Sequence, residues 1–166
     1  MAEADHQATE IIQFDGKQAA AELALELAQL AKREICFFGG HVDPVLFDTV
    51  SMVMVIKDFL RSSAKCQLKM VVHDSRHANA PQHRLLPLFE KMSDRCQLRQ
   101  TAVQHHDQRD TFLLVDNKAW LHCEQQDSYT GRASMSEPMH GRLLSQRFED
   151  VFNHAIPDSH HRPLAL

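Results

Sequence analysis

The sequence predicts an α/β domain in which a mixed β-sheet is flanked by helices on both faces. Two observations carry this. Segments with apolar residues at helical spacing alternate with short continuous apolar runs as far as Cys96. Beyond that point two apolar runs, Thr111–Val115 and Ala119–Cys123, are separated only by a tight turn, which makes an antiparallel hairpin. A length of 166 residues fits one domain. We expect it to occupy residues 11–156, between a flexible N-terminus (1–10) and a C-terminal tail (157–166).

The elements follow in order. Ile11, Ile12 and Phe14 suggest a short strand or an apolar lead-in, and Asp15-Gly16 a helix start. Lys17 to Lys32 is rich in Ala, Leu and Glu, with Leu23, Leu27 and Leu30 on one face. Ile35–Phe38, closed by Gly39-Gly40, reads as a buried strand. Asp43 suits a helix N-cap and Pro44 the first helical position, so one helix is expected from there to Ser62. Its apolar residues cover more than one face, which suits deep burial or a shared surface with another subunit. Leu68–Val72 is the next strand, followed by a polar loop at Asn79 and Pro81, a helix from Gln82 to Ser93, and an alternating strand from Cys96 to Thr101. After the hairpin, turning at Asn117-Lys118, Ser128 to Met135 suggests an edge strand. A final helix is expected from Glu137 to His154, with Leu144, Phe148, Val151 and Phe152 inward.

Charge and composition narrow the function classes. A formal net charge of -4 and a pI near 6.3 argue against a nucleic-acid partner, whose phosphates call for clustered Lys and Arg. The stretch Met1 to Asp5 has no basic region with an apolar run behind it, so no secretory leader is expected. Val50–Ile56 is too short to span a bilayer. Cys36, Cys66, Cys96 and Cys123 are widely spaced, as suits buried free thiols in a reducing cytoplasm. There is no C-x2-C pair, no H-E-x-x-H and no G-x-S-x-G, so no metal, cofactor or nucleophile motif is expected.

In α/β sheets ligands bind beyond the carboxyl ends of parallel strands. Here those ends carry Gly39-Gly40-His41 and His73-Asp74-Ser75-Arg76. A Gly-Gly turn entering a helix can present backbone N–H groups to an anion, or be only a tight turn before a capped helix. Most of the twelve histidines are expected at the surface. His41 and His73 differ by lying at strand ends, where an imidazole could act as a base or bind an anion.

Arg109-Asp110-Thr111-Phe112-Leu113-Leu114-Val115-Asp116 resembles the H-x-K-x4-D segment of phospholipase D-like proteins, with only Asp116 matching. Arg109 takes the place of the attacking histidine and Thr111 that of the phosphate-holding lysine. The opening strand-helix-strand is similar to that family, Gly131-Arg132-Ala133-Ser134 is a loose echo of its Gly-Ser-x-Asn segment, and Phe148 to Phe152 is like its aromatic closing helix. The chain is more closely similar to a group of small, uncharacterised bacterial proteins with this degenerate motif. That likeness rests on Asp43-Pro44-Val45-Leu46-Phe47-Asp48, Gln82-His83-Arg84-Leu85-Leu86, Phe112–Asp116 and Tyr129-Thr130-Gly131-Arg132-Ala133.

The resemblance implies a phospholipase D-like half domain that pairs as a homodimer, since active members bring two motif-bearing halves together. Arginine stays protonated and cannot be the nucleophile, and threonine lacks the lysine's charge. The expectation is therefore a non-catalytic binding or interaction module with no catalytic residue. Arg109, Asp116, Lys118, Arg132, His41 and His73 are its candidate anion-binding residues, and its ligand would be a small phosphate-like molecule or a protein partner. The alternative is a phosphodiesterase or phosphoryl transferase using His41, His73 or His105 instead.

Overall fold

The structure, a computed structural model, describes residues 10–75 and 83–157. The loose start expected through Thr9, the loop at Asn79 and Pro81, and the tail after Pro157 lie outside the described residues.

The order is β1 (Ile12–Asp15), α1 (Lys17–Leu30), β2 (Glu34–Gly39), α2 (Pro44–Phe47), α3 (Val50–Ser62), β3 (Gln67–Val72), α4 (Pro87–Lys91), β4 (Cys96–Gln100), a 3-10 turn (Val103–His105), β5 (Thr111–Val115), β6 (Ala119–Cys123), β7 (Thr130–Ser134), α5 (Pro138–His154) and β8 (Ile156–Pro157). Among the described residues the strands form one eight-stranded sheet, ordered β1-β7-β6-β5-β2-β3-β4-β8. The sheet is mixed: β2, β3 and β4 run parallel, while β5 lies antiparallel to β2 and begins the β5-β6-β7-β1 meander.

Two cores sandwich the sheet. Ile35, Phe37, Met70, Leu113 and Leu121 face α1 to α4. Cys36, Phe38, Val71, Phe112, Leu114 and Trp120 face Leu144, Phe148, Val151 and Phe152 of α5. Alternation along β2 and β5 assigns neighbouring residues to opposite faces, as a strand covered on both sides requires. All four cysteines are buried free thiols. No helix among the described residues is long and apolar enough to cross a membrane.

Several elements differ from the sequence reading. The helix expected from Pro44 to Ser62 is two helices. Asp48 leaves helical geometry (φ -94°, ψ 58°), and Thr49 restarts the chain by accepting a hydrogen bond from Met52 N. The Asp48 carboxylate is drawn off to the Arg84 backbone N–H and guanidinium. Only one face of α3 is apolar and buried, through Met52, Val53, Ile56, Phe59 and Leu60, while Val50 and Met54 are exposed. In α1 the buried stripe is Ala20, Ala24, Leu27 and Ala28, and Leu30 faces out. Of the helix expected from Gln82 to Ser93, the described part is helical only from Pro87, whose ring cannot follow a preceding helical turn. The strand at Thr130–Ser134 is not at the edge, because β1 pairs with it along its length. The hairpin turns at Asp116-Asn117, one residue earlier than expected. Both residues have positive φ (52° and 63°), the central conformation of a type I′ turn, which Lys118 N–H closes on the Val115 carbonyl at 3.2 Å. Pro157, assigned to the tail, pairs with Arg99 at the opposite edge.

Candidate anion-binding site at the strand ends

Because β5 is antiparallel to β2, its start lies with the carboxyl ends of β2 and β3. His41, His73, Arg109 and Arg132 therefore gather at one end of the sheet. Asp116 and Lys118 do not join them. They follow β5 and lie at the far end, about 20 Å away for a strand of this length. The Asp116 carboxylate accepts the backbone N–H groups of Lys32, Arg33 and Glu34, each at 2.9 Å. It ties the hairpin to the start of β2.

The residue that organises the near end is Asp110, which falls at the unspecified position between Arg109 and Thr111. It shares a face with Phe112 and Leu114, toward α5. Its carboxylate accepts two hydrogen bonds from the Arg147 guanidinium, at 2.6 and 2.8 Å, and lies 2.7 Å from His122 Nε2. Arg147 also donates to Gln108 Oε1 at 2.8 Å. His122 Nδ1 lies 2.9 Å from His140 Nε2, with the two rings stacked. Burial would raise the Asp110 pKa, but the hydrogen bonds from Arg147 and His122 and their charges outweigh it and hold the carboxyl well below the usual range. The Asp110 hydrogen bond in turn raises Arg147. An ionised Asp110 fixes the proton of His122 on Nε2. His122 Nδ1 and His140 Nε2 share one proton across their contact, and His140 Nδ1 has no partner among the described residues. Burial and the neighbouring His122 and Arg132 push the His140 pKa down.

Local structure holds this chain in place. His122 pairs with Phe112 on β5 and with Arg132 on β7. Glu137 caps α5, its carboxylate accepting Met139 N and His140 N. Gly141 lets the helix approach the hairpin, since a Cβ there would meet Asn117 O at 2.4 Å. Gly131 similarly admits the His122 carbonyl, 2.1 Å from where a Cβ would sit.

His73 is part of the structure rather than a charged ligand. Its Nε2 lies 2.6 Å from the Gln108 carbonyl and so carries the proton, and its Nδ1 accepts from the Thr101 hydroxyl at 2.7 Å. Burial lowers its pKa and keeps it neutral. The surface position expected for most histidines holds only for His106 and His154 among the described ones. His83 and His105 are buried, and His41, His73, His122 and His140 are half-buried. His6, His77, His160 and His161 lie outside the described residues. Strand ends and helix faces pack these imidazoles against the sheet, which loop composition could not reveal.

The Gly39-Gly40 turn does not present a free helix N-terminus. The Asp43 carboxylate already accepts Val45 N at 2.8 Å and the Tyr129 hydroxyl at 2.9 Å. His41, Asp43 and Asp127 bring donor atoms within 4.8 Å of one another, but these bonds commit Asp43 to the turn. Thr111, at the lysine position, is buried.

Arg109 and Arg132 remain as the cations available at this end, with no carboxylate partner among the described residues. Arg109 is exposed, and its carbonyl accepts Gln126 N at 2.9 Å, which joins it to the β6–β7 connection. Arg132 reaches over the Trp120 ring, 5.9 Å from its centre. Arg132 and His122 line an open groove of about 790 Å³ between β1, β7 and that connection, with Glu124, Thr130 and Asp15 in its walls.

The family profile described as "Domain of unknown function (DUF7931)" matches residues 16–164. No curated protein matches the chain. Three solved structures share its architecture. Nuc, a phospholipase D family member from Salmonella typhimurium, is 15% identical at a TM-score of 0.62, over 90% of this chain and 97% of that one. NucT from Helicobacter pylori is 8% identical at a TM-score of 0.63, over 90% and 99%. TrmBL2, an archaeal chromatin protein whose structure shows a novel mode of DNA binding, is 10% identical at a TM-score of 0.65, over 92% and 55%. This chain thus spans about half of TrmBL2. At these identities the likeness is one of fold, and the fold is phospholipase D-like.

Proposed function

The chain belongs to the family described as Domain of unknown function (DUF7931), and from there we propose that it is a non-catalytic binding module on a phospholipase D-like scaffold, which takes up an anionic, phosphate-bearing group at the strand ends and does not cleave it. One observation carries the reading. The strand-end positions that would hold nucleophile and lysine carry Arg109 and Thr111, and the nearby His73 and His122 have both ring nitrogens engaged. An imidazole with both nitrogens held by the fold has no lone pair to offer phosphorus. Arg109 and Arg132 retain the guanidinium geometry that grips phosphate oxygens. Glu124 and Asp15 in the groove walls favour a small ligand with one phosphate over a polyanion.

Inorganic phosphate is the simplest probe. Calorimetric titration of the full chain is expected to show saturable binding, weakened roughly tenfold or more in the Arg109→Ala/Arg132→Ala double variant, since each lost charge-assisted contact is worth about 1.5 kcal/mol or more. Unchanged binding in the double variant would sink the assignment. DNA binding that falls steeply with salt would move the reading toward nucleic acid. The same reading carries a homodimer, and light scattering of a micromolar solution should give twice the chain mass; a monomer would count against it.

One observation favours a second reading, an enzyme with altered residues. Asp110, His122 and His140 form a hydrogen-bonded series that ends on a ring nitrogen with no partner among the described residues. Turnover of a simple phosphodiester, abolished by His140→Ala, would establish it.

A further inference from the structure

We propose that His105, Asp150 and His154 form a binding site for a divalent metal ion of the zinc class, joining the 3-10 turn to the last turn of α5. His105 Nε2 lies 3.1 Å from Asp150 Oδ2, and His154 Nδ1 lies 3.4 Å from Asp150 Oδ1. One donor atom from each residue falls within 4.8 Å of the other two. An ion that holds nitrogen and oxygen ligands at about 2.0–2.2 Å keeps those ligand atoms roughly 3–3.5 Å apart; each imidazole already lies that close to one Asp150 oxygen, though to a different one, so the ion would draw the three donors together from within 4.8 Å. Two imidazoles and one carboxylate, open on one side, form a donor set suited to zinc, copper, nickel or iron rather than calcium or magnesium.

The local structure prepares the site. Asp150 and His154 are one helical turn apart on α5 and share a face. His105 is held from the other side, its backbone N–H bonded to Ala102 O at 2.9 Å. Its side chain is 7% exposed, against 60% for Asp150, so the buried imidazole is the fixed ligand and the ion enters from solvent past the carboxylate.

His105 also differs from the other engaged imidazoles. His73 and His122 have both nitrogens satisfied, whereas His105 Nδ1 is buried with no hydrogen-bond partner. Metal binding at Nε2 shifts the ring proton to Nδ1, where the described residues offer no acceptor. At the same time His154 Nδ1 gives up its bond to the Asp150 carbonyl, 2.8 Å away. Both costs make this an exchangeable site rather than a permanent structural one. Its occupant would clamp the segment that leads through Gln108 to Asp110 against the helix that carries Arg147.

The test is a Zn2+ titration of the full chain, followed by the ring-nitrogen NMR signals of His105 and His154. With twelve histidines in the chain, stoichiometry alone cannot locate the ion. The first equivalent is expected to move both sets of signals, and His154→Asn, at a half-exposed position, to weaken binding about tenfold or more while the chain stays folded. Asp150→Asn should weaken it similarly. Signals that stay in place, or zinc affinity unchanged in both variants, would overturn the site and leave the trio as a purely structural contact.

Discussion

Replacing Asp110 with alanine is expected to lower the unfolding free energy by about 3 kcal/mol, near the lower end of what removing one partner of a buried ion pair costs. Its carboxylate is only 14% exposed and is the shared acceptor for Arg147 and His122. Without it, Arg147 keeps the Gln108 side chain and its cation–π contact with the Phe112 ring, and His122 loses its carboxylate acceptor. Arg147 is 36% exposed and can recover some hydration, which keeps the loss at that lower end. Asp110→Asn separates charge from shape, because the amide oxygen still accepts while the negative charge is gone. The folded pKa of Asp110 lies below its unfolded value. Its stabilisation is therefore complete above the ordinary carboxylate pKa, about 3.9, and is lost as pH falls through that range toward the folded value. Denaturant unfolding should show a constant gap between wild type and Asp110→Asn from neutral pH to about 5, closing below about 4. A gap independent of pH down to 3 would show that Asp110 is not the charged centre of the network.

Asp116→Ala is expected to cost about 3 kcal/mol for a different reason, the loss of several hydrogen bonds to one ionised acceptor. Lys32, Arg33 and Glu34 present their N–H groups to this carboxylate, and no other side chain among the described residues takes them. Alanine also pays about 1 kcal/mol for the left-handed backbone at position 116 (φ 52°), where aspartate is better tolerated and glycine is unstrained. Asp116→Gly should therefore be about 1 kcal/mol less damaging than Asp116→Ala in the same denaturation experiment. Equal losses would mean that backbone strain has no share. Neither change should alter phosphate binding, since Asp116 lies at the opposite end of β5. Loss of phosphate affinity in a folded Asp116 variant would contradict the separation of the two ends.

What the sequence made legible was whatever depended on local pattern. The continuous apolar runs at Ile35–Phe38 and Thr111–Val115 became strands covered on both faces, and the Asp43-Pro44 cap formed as written. The α/β alternation with a late hairpin gave the mixed sheet. The cluster at the strand ends is only partly legible in the sequence. The likeness of Arg109–Asp116 to a known motif singles out positions 109, 111 and 116 and says nothing of the intervening Asp110. Yet strand alternation places Asp110 with Phe112 and Leu114, and Trp120-Leu121-His122 turns His122 to that same face. Seeing that His140 and Arg147 complete the network required knowing that α5 returns over β5 and β6, a contact between residues 18 and 37 positions apart. Asp116 shows the opposite case. Its match to the motif was real as sequence, but its carboxylate is spent on the backbone of Lys32 to Glu34, 82 to 84 residues away. The buried histidines were hidden by the same long-range packing, since a His in a polar stretch such as His105-His106 looks solvated until the helix bearing Asp150 is placed beside it.

The most direct measurement is a phosphorus NMR spectrum of the full chain with a simple phosphodiester, compared with the Arg109→Ala/Arg132→Ala variant. Binding without cleavage predicts a broadened or shifted diester resonance in the wild type, no monoester resonance after long incubation, and a return toward the free signal in the variant. A growing monoester resonance would contradict the non-catalytic reading, and a diester resonance unperturbed by the wild-type chain would contradict an anion site at the strand ends.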